Sequence, residues 1–342
     1  VSTVSIIIPA RNRHDLVRAT VASALAQDHA GTEVILVDNG STPALHKQDF
    51  AEFAALPAFA GFQVLACPSG NANAARNFGY DHSNGEFVLF LDSDDLLAES
   101  CVRLRLEEFG KHEGIDAIIG RCEYFGETPG DMAGKYWGKW DDRFTDMESF
   151  LGVTSDNWQT AGPLWRRSFM EASSLRWDES INKGQDWEFH VRALSKGLRY
   201  VKVPLLDHFW RCDPTGTQMS SPKSQLLSLS RGQLLRTLEC MFTHAIRSGY
   251  VSTDALRKRL RQRGMQALFL RTVRDSRSAG LPWNECLHHF RTNHGLGVIN
   301  FAKTLEALAY LGAWKAPGLG QRIAKSLFHR RFNHLLHVTL ED

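Results

Sequence analysis

Gly85–Asp95 reads GEFVLFLDSDD, a short apolar run that ends abruptly in three carboxylates. Phe87–Leu91 has the length and composition of a buried strand bounded by polar residues. Asp92, Asp94 and Asp95 so close together repel one another, which costs stability unless something offsets the charge. A hard divalent cation holding a diphosphate would do so. Mg²⁺ and Mn²⁺ prefer one or two carboxylates plus phosphate oxygens and water. The plainer reading is an acidic turn capping a helix that starts at Leu96. The segment by itself does not choose between them.

Working outward, strand and helix patterns alternate. Val4–Pro9, Glu33–Val37, Phe62–Ala66 and Asp116–Ile119 read as strands like Phe87–Leu91. His14–Gln27, Asn71–Tyr80 and Leu96–Lys111 read as helices between them. This alternation predicts an α/β fold with a mostly parallel, doubly wound sheet. Ligands of such sheets sit at the carboxyl ends of the strands. The polar clusters ARNR, DNGS and DSDD fall at those ends. Residues 120–165 show little periodicity and read as loops and short strands. Asp186–Lys196 reads as a helix, Tyr200–Val203 as a strand and Leu206–Arg211 as a second one. From about Gln225 onward the pattern is helical, with Pro282 suited to a first helical position.

Single residues near the strand ends carry two readings each. Asp38, in VDNGS, could accept hydrogen bonds from a base or ribose, or cap its own turn. Arg76, in GNANAARNFGY, could fork onto phosphate oxygens, or form a surface ion pair. Asp186, in GQDWEF, could be a general base, or the N-terminal charge of its helix.

Together, VSIIIPARNR, VDNGST, NANAARNFGY, GEFVLFLDSDD and GQDWEFHVRAL resemble, in order and spacing, the family-2 glycosyltransferases of the GT-A fold. The resemblance covers roughly residues 3–213. It implies inverting transfer of a sugar from a nucleotide-sugar, commonly a UDP-sugar, to an acceptor hydroxyl. By this resemblance Pro9 and Arg11 line the base pocket and Asp38 binds uracil. Arg76, Asp92 and Ser93 lie against the nucleotide, Asp94 binds Mn²⁺ or Mg²⁺, and Asp186 is the catalytic base. His208 and Asp213, in HFWRCDPTGT, stand as further metal ligands. Gln185 is assigned to the acceptor. Trp158 and Trp165 carry two readings, an aromatic face lining the acceptor cleft or a core anchor.

The pattern departs from the family in three places. An aromatic residue is common where Arg11 stands, though a guanidinium also stacks on a base. Gln185 replaces a usual Glu, which leaves Asp186 with less repulsion, so that its pKa need not be raised. The family's R-x-H is replaced by Arg211–Cys212–Asp213, which puts the third metal ligand in doubt.

The charge of the chain is uneven. Its 342 residues hold 40 Lys+Arg against 38 Asp+Glu, yet residues 221–342 alone are +12 and residues 1–220 are −10. The expected organisation is therefore a GT-A domain over 1–215, in which residues 1–120 take the nucleotide-sugar and residues 121–215 take the acceptor. A basic helical region follows over 216–342. In Leu319–Val338, Arg322, Lys325, Arg330 and Arg331 alternate with apolar residues, compatible with an anionic membrane surface or with ordinary packing. RKRLRQR at 257–263 raises the same question. No nucleic-acid motif accompanies the charge. No apolar run reaches the ~18 residues of a spanning helix, and the opening VSTVSIIIPARNR has no basic n-region before its apolar stretch. The six cysteines are scattered without a C-x-x-C, as in reduced proteins. These features point to a cytoplasmic protein, peripheral on the inner face of the membrane at most. The family resemblance implies an enzyme that builds surface polysaccharide from a nucleotide-sugar and a glycan or lipid-linked glycan. Two other classes fit some of the pattern. A sugar nucleotidyltransferase would want a Gly-rich loop where PARNR stands, and a non-catalytic glycan-binding module would explain Gln185 and the missing R-x-H.

Overall fold

The computed structural model describes residues 2–138, 140, 143–153, 157–212, 232–278 and 280–313. In chain order the elements begin β1 (Val4–Ala10), α1 (His14–Leu25), β2 (Thr32–Asp38), β3 (Phe62–Ala66), α2 (Ala72–Asp81) and β4 (Phe87–Phe90). They continue with β5 (Leu96–Leu97), α3 (Cys101–Lys111), β6 (Ala117–Phe125), α4 (Asp146–Phe150), β7 (Pro163–Arg166), α5 (Arg167–Ala172), α6 (Gln185–Ser195) and β8 (Tyr200–Arg211). Four helices follow: α7 (Gln233–Arg247), α8 (Ala255–Ser278), α9 (Trp283–Gly295) and α10 (Phe301–Ala313).

The chain divides into two units. A sheet unit takes Val1–Lys139, Trp158–Phe189 and Lys196–Thr215; a helical unit takes Trp140–Asn157, His190–Ser195 and Gly216–Asp342. The expected boundary between residues 215 and 216 lies outside the described residues.

In the sheet unit eight strands run in the order β3-β2-β1-β4-β7-β6-β8-β5. β1 pairs in parallel with both β2 and β4, so the direction of winding reverses between β1 and β4. β1 is central and buried at all seven positions, which is why its sequence is continuously apolar rather than alternating. The other half of the sheet is mixed. β7 runs antiparallel to β4 and β6, β8 lies parallel to β6, and β5 pairs antiparallel with β8.

Helix α2 packs closely on this centre. Its Asn71 cap accepts from the backbone N–H groups of Asn73 and Ala74 at 2.8 and 3.2 Å. At Gly79 a Cβ would come within 2.6 Å of Ile7 Cγ2 and 3.0 Å of Val37 Cγ2. Only the absence of a side chain lets α2 lie this close to β1 and β2.

Two differences from the sequence reading bear on β8 and its partner. The helix expected from Leu96 begins at Cys101, because Leu96 and Leu97 pair with Phe209 and His208 as β5. Strand pairing overrides helix propensity there. The two strands read at Tyr200–Val203 and Leu206–Arg211 are one, β8, with a register shift around Pro204. Lys202 faces Ile119, and Leu206 faces Arg121. Proline has no N–H for the ladder and is tolerated at such an irregularity.

One ion pair braces this half of the sheet from inside. Arg105 on α3 and Asp207 on β8 are 0% and 1% exposed. Arg105 Nε and Nη2 donate to the two carboxylate oxygens, each at 2.6 Å, and Nη1 donates to the Ala161 carbonyl at 2.9 Å. Gly120 completes the fit. A Cβ there would meet Asp207 Oδ1 at 2.4 Å and Arg105 Nη2 at 2.6 Å.

The helical unit also draws in the short helix α4. Thr145 and Glu148 form a reciprocal capping box. Glu148 faces the buried Arg261 of α8 at 3.5 Å, whose guanidinium lies 4.2 Å from the Tyr250 ring centroid. Phe269 of α8 meets Phe290 of α9 edge-on at 5.2 Å. Pro282 occupies the N-cap of α9 rather than its first turn. No helix among the described residues is long and apolar enough to cross a membrane. Leu319–Val338 lies outside the described residues.

Candidate active site

The carboxyl ends of β1, β2 and β4 lie side by side, and the loops leaving them carry the polar clusters. Pro9 is buried within β1. Two residues on, Arg11 is exposed and donates to the Gly70 carbonyl at 3.3 Å. Asn12 adopts φ +52, a left-handed conformation that Asn tolerates better than most residues. It is held there by its N–H donating to Ser41 Oγ at 3.0 Å and its Oδ1 accepting from Thr42 N–H at 2.8 Å.

Asp38 ends β2 and is 4% exposed. Its carboxylate accepts from the N–H of Ser41 at 3.0 Å and of Leu45 at 3.2 Å. The turn-cap role is thus visible, and each carboxylate oxygen keeps a further lone pair.

Arg76 sits at the centre of a network. It is 5% exposed. Its guanidinium donates to Asp92 Oδ1 at 2.6 Å, Gln185 Oε1 at 3.0 Å and Asn73 Oδ1 at 2.9 Å. It also lies 4.4 Å from the Trp177 ring centroid. Three asparagines of NANAARN pin the segment leading into α6. Asn71 Nδ2 donates to the Glu179 carbonyl at 2.6 Å. Asn73 Nδ2 donates to the carbonyls of Asp178 and Ile181 at 2.7 and 2.9 Å. Asn77 exchanges bonds with the Trp177 backbone, each 2.9 Å. These clamps, which the sequence reading did not anticipate, fix where α6 begins and therefore where Asp186 stands.

Asp186 is half-buried in the first turn of α6. Burial, followed by the negative charge of Asp92, pushes its carboxyl up to about 6. The Trp187 N–H and Arg76 oppose this shift without cancelling it. The pKa of Asp186, which need not have been raised by its neighbour at 185, is raised by its surroundings. Replacing a neighbouring Glu by Gln185 removes one charge, but desolvation and Asp92 remain.

The acidic loop itself is divided in role. Ser93 and Asp95 are buried, Asp95 at 2% exposure. Asp95 accepts from the Arg211 N–H at 3.0 Å and from Gln159 Nε2 at 3.2 Å. Burial and the charges of Asp94 and Asp92 hold its carboxyl well above the usual range. Arg211 also donates from Nε to the Asp94 carbonyl at 3.0 Å, tying the end of β8 to the loop. Asp92 and Asp94 are the more open carboxylates, 31% and 15% exposed at the side chain. Asp94 Oδ2 accepts from Arg13 Nη1 at 2.5 Å. Neither Arg13 nor Gln159 was singled out from sequence. The signal for Arg13 was its place in the loop beside the β1–β4 reversal.

The remaining predicted residues are placed elsewhere. His208 is 1% exposed, with Nδ1 3.0 Å from Asp207 and 3.1 Å from Arg105 Nη2. Burial lowers its pKa, so it is a neutral member of the interior, and an ion from solvent has no access to it. Its assignment as a metal ligand is corrected on that ground. Asp213 lies outside the described residues. Trp165 is wholly buried and edge-on to Phe189 at 5.4 Å, and Trp158 is 4% exposed against Tyr200 at 4.7 Å. Both are core anchors whose faces are covered, so neither can stack on an acceptor sugar. Gln185 is engaged with Arg76. The half-buried aromatic cluster in this unit is Tyr124, Trp137 and Trp210, with centroids 5.3–5.8 Å apart.

Among the described residues no group of three or more His, Cys, Asp or Glu side chains is placed to hold a metal ion. Asp94, with Asp92 nearby in sequence, instead offers the one or two carboxylates to which Mg²⁺ or Mn²⁺ adds phosphate oxygens. The donor set suits a cation that arrives with a diphosphate, not one caged by protein alone.

Residues 5–172 match the profile of Glycosyl transferase family 2. The sheet unit is a family-2 glycosyltransferase domain. The chain is 31% identical over 223 residues to the succinoglycan biosynthesis protein ExoU of Rhizobium meliloti, covering 58% of each. It is 36% identical over 124 residues to the poly(ribitol-phosphate) beta-N-acetylglucosaminyltransferase TarP of Staphylococcus aureus, covering 34% of this chain and 36% of TarP. The chain thus spans little more than half of the one relative and about a third of the other. Among solved structures, S. aureus TarS 1–349 in complex with UDP-GlcNAc superposes with a TM-score of 0.64 at 15% identity, covering 96% of this chain and 92% of that one. At that identity the likeness speaks for the fold, which is the GT-A arrangement.

Proposed function

We propose that the chain transfers a sugar from a UDP-sugar to a hydroxyl of a bacterial surface glycan or its lipid-linked precursor, with inversion. The observation that carries this is a half-buried carboxyl, Asp186, poised at about 6 beside the Arg76–Asp92 pair. The relatives that make succinoglycan and modify poly(ribitol-phosphate) support a polysaccharide acceptor, and the UDP-GlcNAc bound by TarS supports a UDP-sugar donor.

In this reading Pro9, Arg11 and Asp38 take the base, and Arg76, Asp92 and Ser93 take the ribose and diphosphate side. Asp94, with Asp92, would hold a divalent cation, which when bound would neutralise charge on the leaving diphosphate. The acceptor oxygen attacks C1 from the face opposite the diphosphate. Its proton passes to Asp186, the C1–O bond to the diphosphate breaks, and UDP leaves. Arg76, already held by three acceptors, is oriented to meet the charge that develops on the departing phosphate.

The test is release of UDP from a panel of UDP-sugars with and without Mn²⁺. Release from one or two donors, falling at least tenfold with chelator, is the expected result. No release from any nucleotide-sugar sinks the proposal.

The helical unit is assigned a location role. On α8, Arg257, Lys258, Arg259 and Arg263 are exposed beside Leu256, itself 65% exposed. Basic side chains around an exposed apolar one suit an anionic membrane surface. The chain should float with vesicles of one-third phosphatidylglycerol and not with neutral ones. Equal behaviour with both removes the location role.

A further inference from the structure

The Arg13–Asp94 pair carries a consequence beyond transfer itself. Arg13 leaves β1 three residues past its end, and Asp94 leaves β4 four residues past its end. Because β1 and β4 are neighbours, their loops meet, and the left-handed turn at Asn12 sets the direction of residue 13. The result is a contact of 2.5 Å across 81 residues of sequence. It lies at the reversal of winding, where a doubly wound sheet binds its ligand. Both partners are only partly covered, 23% and 15% exposed, so the pair can open without unfolding its surroundings. Asp94 is also held through its carbonyl by Arg211, which fixes the backbone of the loop.

We infer that Arg13 is a stand-in cation. With no donor present it occupies the Asp94 carboxylate. When a divalent cation arrives with a nucleoside diphosphate, Asp94 exchanges the guanidinium for the metal, and the freed fork of Arg13 pairs with the diphosphate. The Asp94 carboxylate then faces a cation in both states. It follows that the cation binds poorly by itself and well with the nucleotide. Arg13 is then a positioning residue that couples the two. This rests on the donor reading above, but it concerns an order of binding which that reading does not require.

The test is calorimetric titration of Mn²⁺ into the nucleotide-free protein, and of UDP in saturating Mn²⁺, for wild type, Arg13→Ala and Arg13→Lys. Arg13→Ala should tighten donor-free Mn²⁺ binding about threefold or more, the scale of a partly exposed ion pair. It should weaken UDP binding about tenfold, the scale of a charged hydrogen bond. Arg13→Lys keeps the charge but loses the fork. It should leave Mn²⁺ affinity near wild type and still weaken UDP. A merely structural role would move both affinities down together. Donor-free Mn²⁺ affinity that is unchanged, weaker or absent in Arg13→Ala overturns the inference, as does unchanged UDP affinity. Failure of wild type to bind UDP at all is separate and counts against the donor reading.

Discussion

Asp186→Asn should lower the rate of sugar transfer by about 10²–10⁴-fold, the usual worth of a general base, while UDP affinity in Mn²⁺ stays within about twofold of wild type. The substitution keeps size and hydrogen-bonding shape but removes the carboxylate proposed to take the acceptor proton. The pH dependence gives the same residue a second signature. A base must be ionised to act, and burial with Asp92 holds Asp186 at about 6. Wild-type activity should therefore fall as pH drops through about 6 and level off above it. The residual activity of Asp186→Asn should lack that limb. If Asp186 were only the N-terminal charge of α6, the helix dipole would favour its ionised form and hold the pKa down; an unchanged rate and profile in the Asn variant would establish that lesser role.

Arg105→Ala should destabilise the sheet unit by about 3–5 kcal/mol, the cost of leaving one member of a buried ion pair alone. Asp207 would keep a carboxylate 1% exposed with its two 2.6 Å donors gone. In the wild type, burial alone would raise the Asp207 pKa, but the Arg105 guanidinium overcomes it and holds the group below its ordinary value. The sign of the pH effect follows. A depressed carboxylate contributes stability above its unfolded pKa, about 3.9, and loses it as pH falls through the folded value. Arg105→Ala should remove that acid sensitivity along with the stability. Chemical denaturation at pH 7 and pH 3 measures both. A loss under about 1 kcal/mol would mean that water enters and solvates Asp207. The consequence reaches the site, because β8 carries Arg211, and Arg211 holds Asp94 and Asp95.

Much of the sheet was legible because its inner strands are buried on both faces and read as unbroken apolar runs. The site was legible where chemistry demands unusual residues in a row, as in DSDD. The misses share one physical cause. His208, Trp158 and Trp165 were read by side-chain chemistry, and nothing local in sequence says that an imidazole or indole faces inward. Burial depends on partners such as Arg105, Tyr200 and Phe189, distant in the chain and on other elements. The Leu96 boundary failed for a related reason, since its pairing with Phe209 spans more than a hundred residues. Arg13 and the asparagine clamps of α2 were passed over for the converse reason. Common polar residues acquire meaning only when the fold brings Asp94 or Asp178 to them.

The central claim is that the carboxyl edge of β1, β2 and β4 holds a nucleotide diphosphate. A crystal structure of the chain with UDP and Mn²⁺ tests it most directly. The account predicts uracil against Asp38, the metal on the Asp94 carboxylate, and Arg13 turned away from Asp94 onto the diphosphate. UDP bound at any other place on the chain, with the Arg13–Asp94 pair intact, would contradict it.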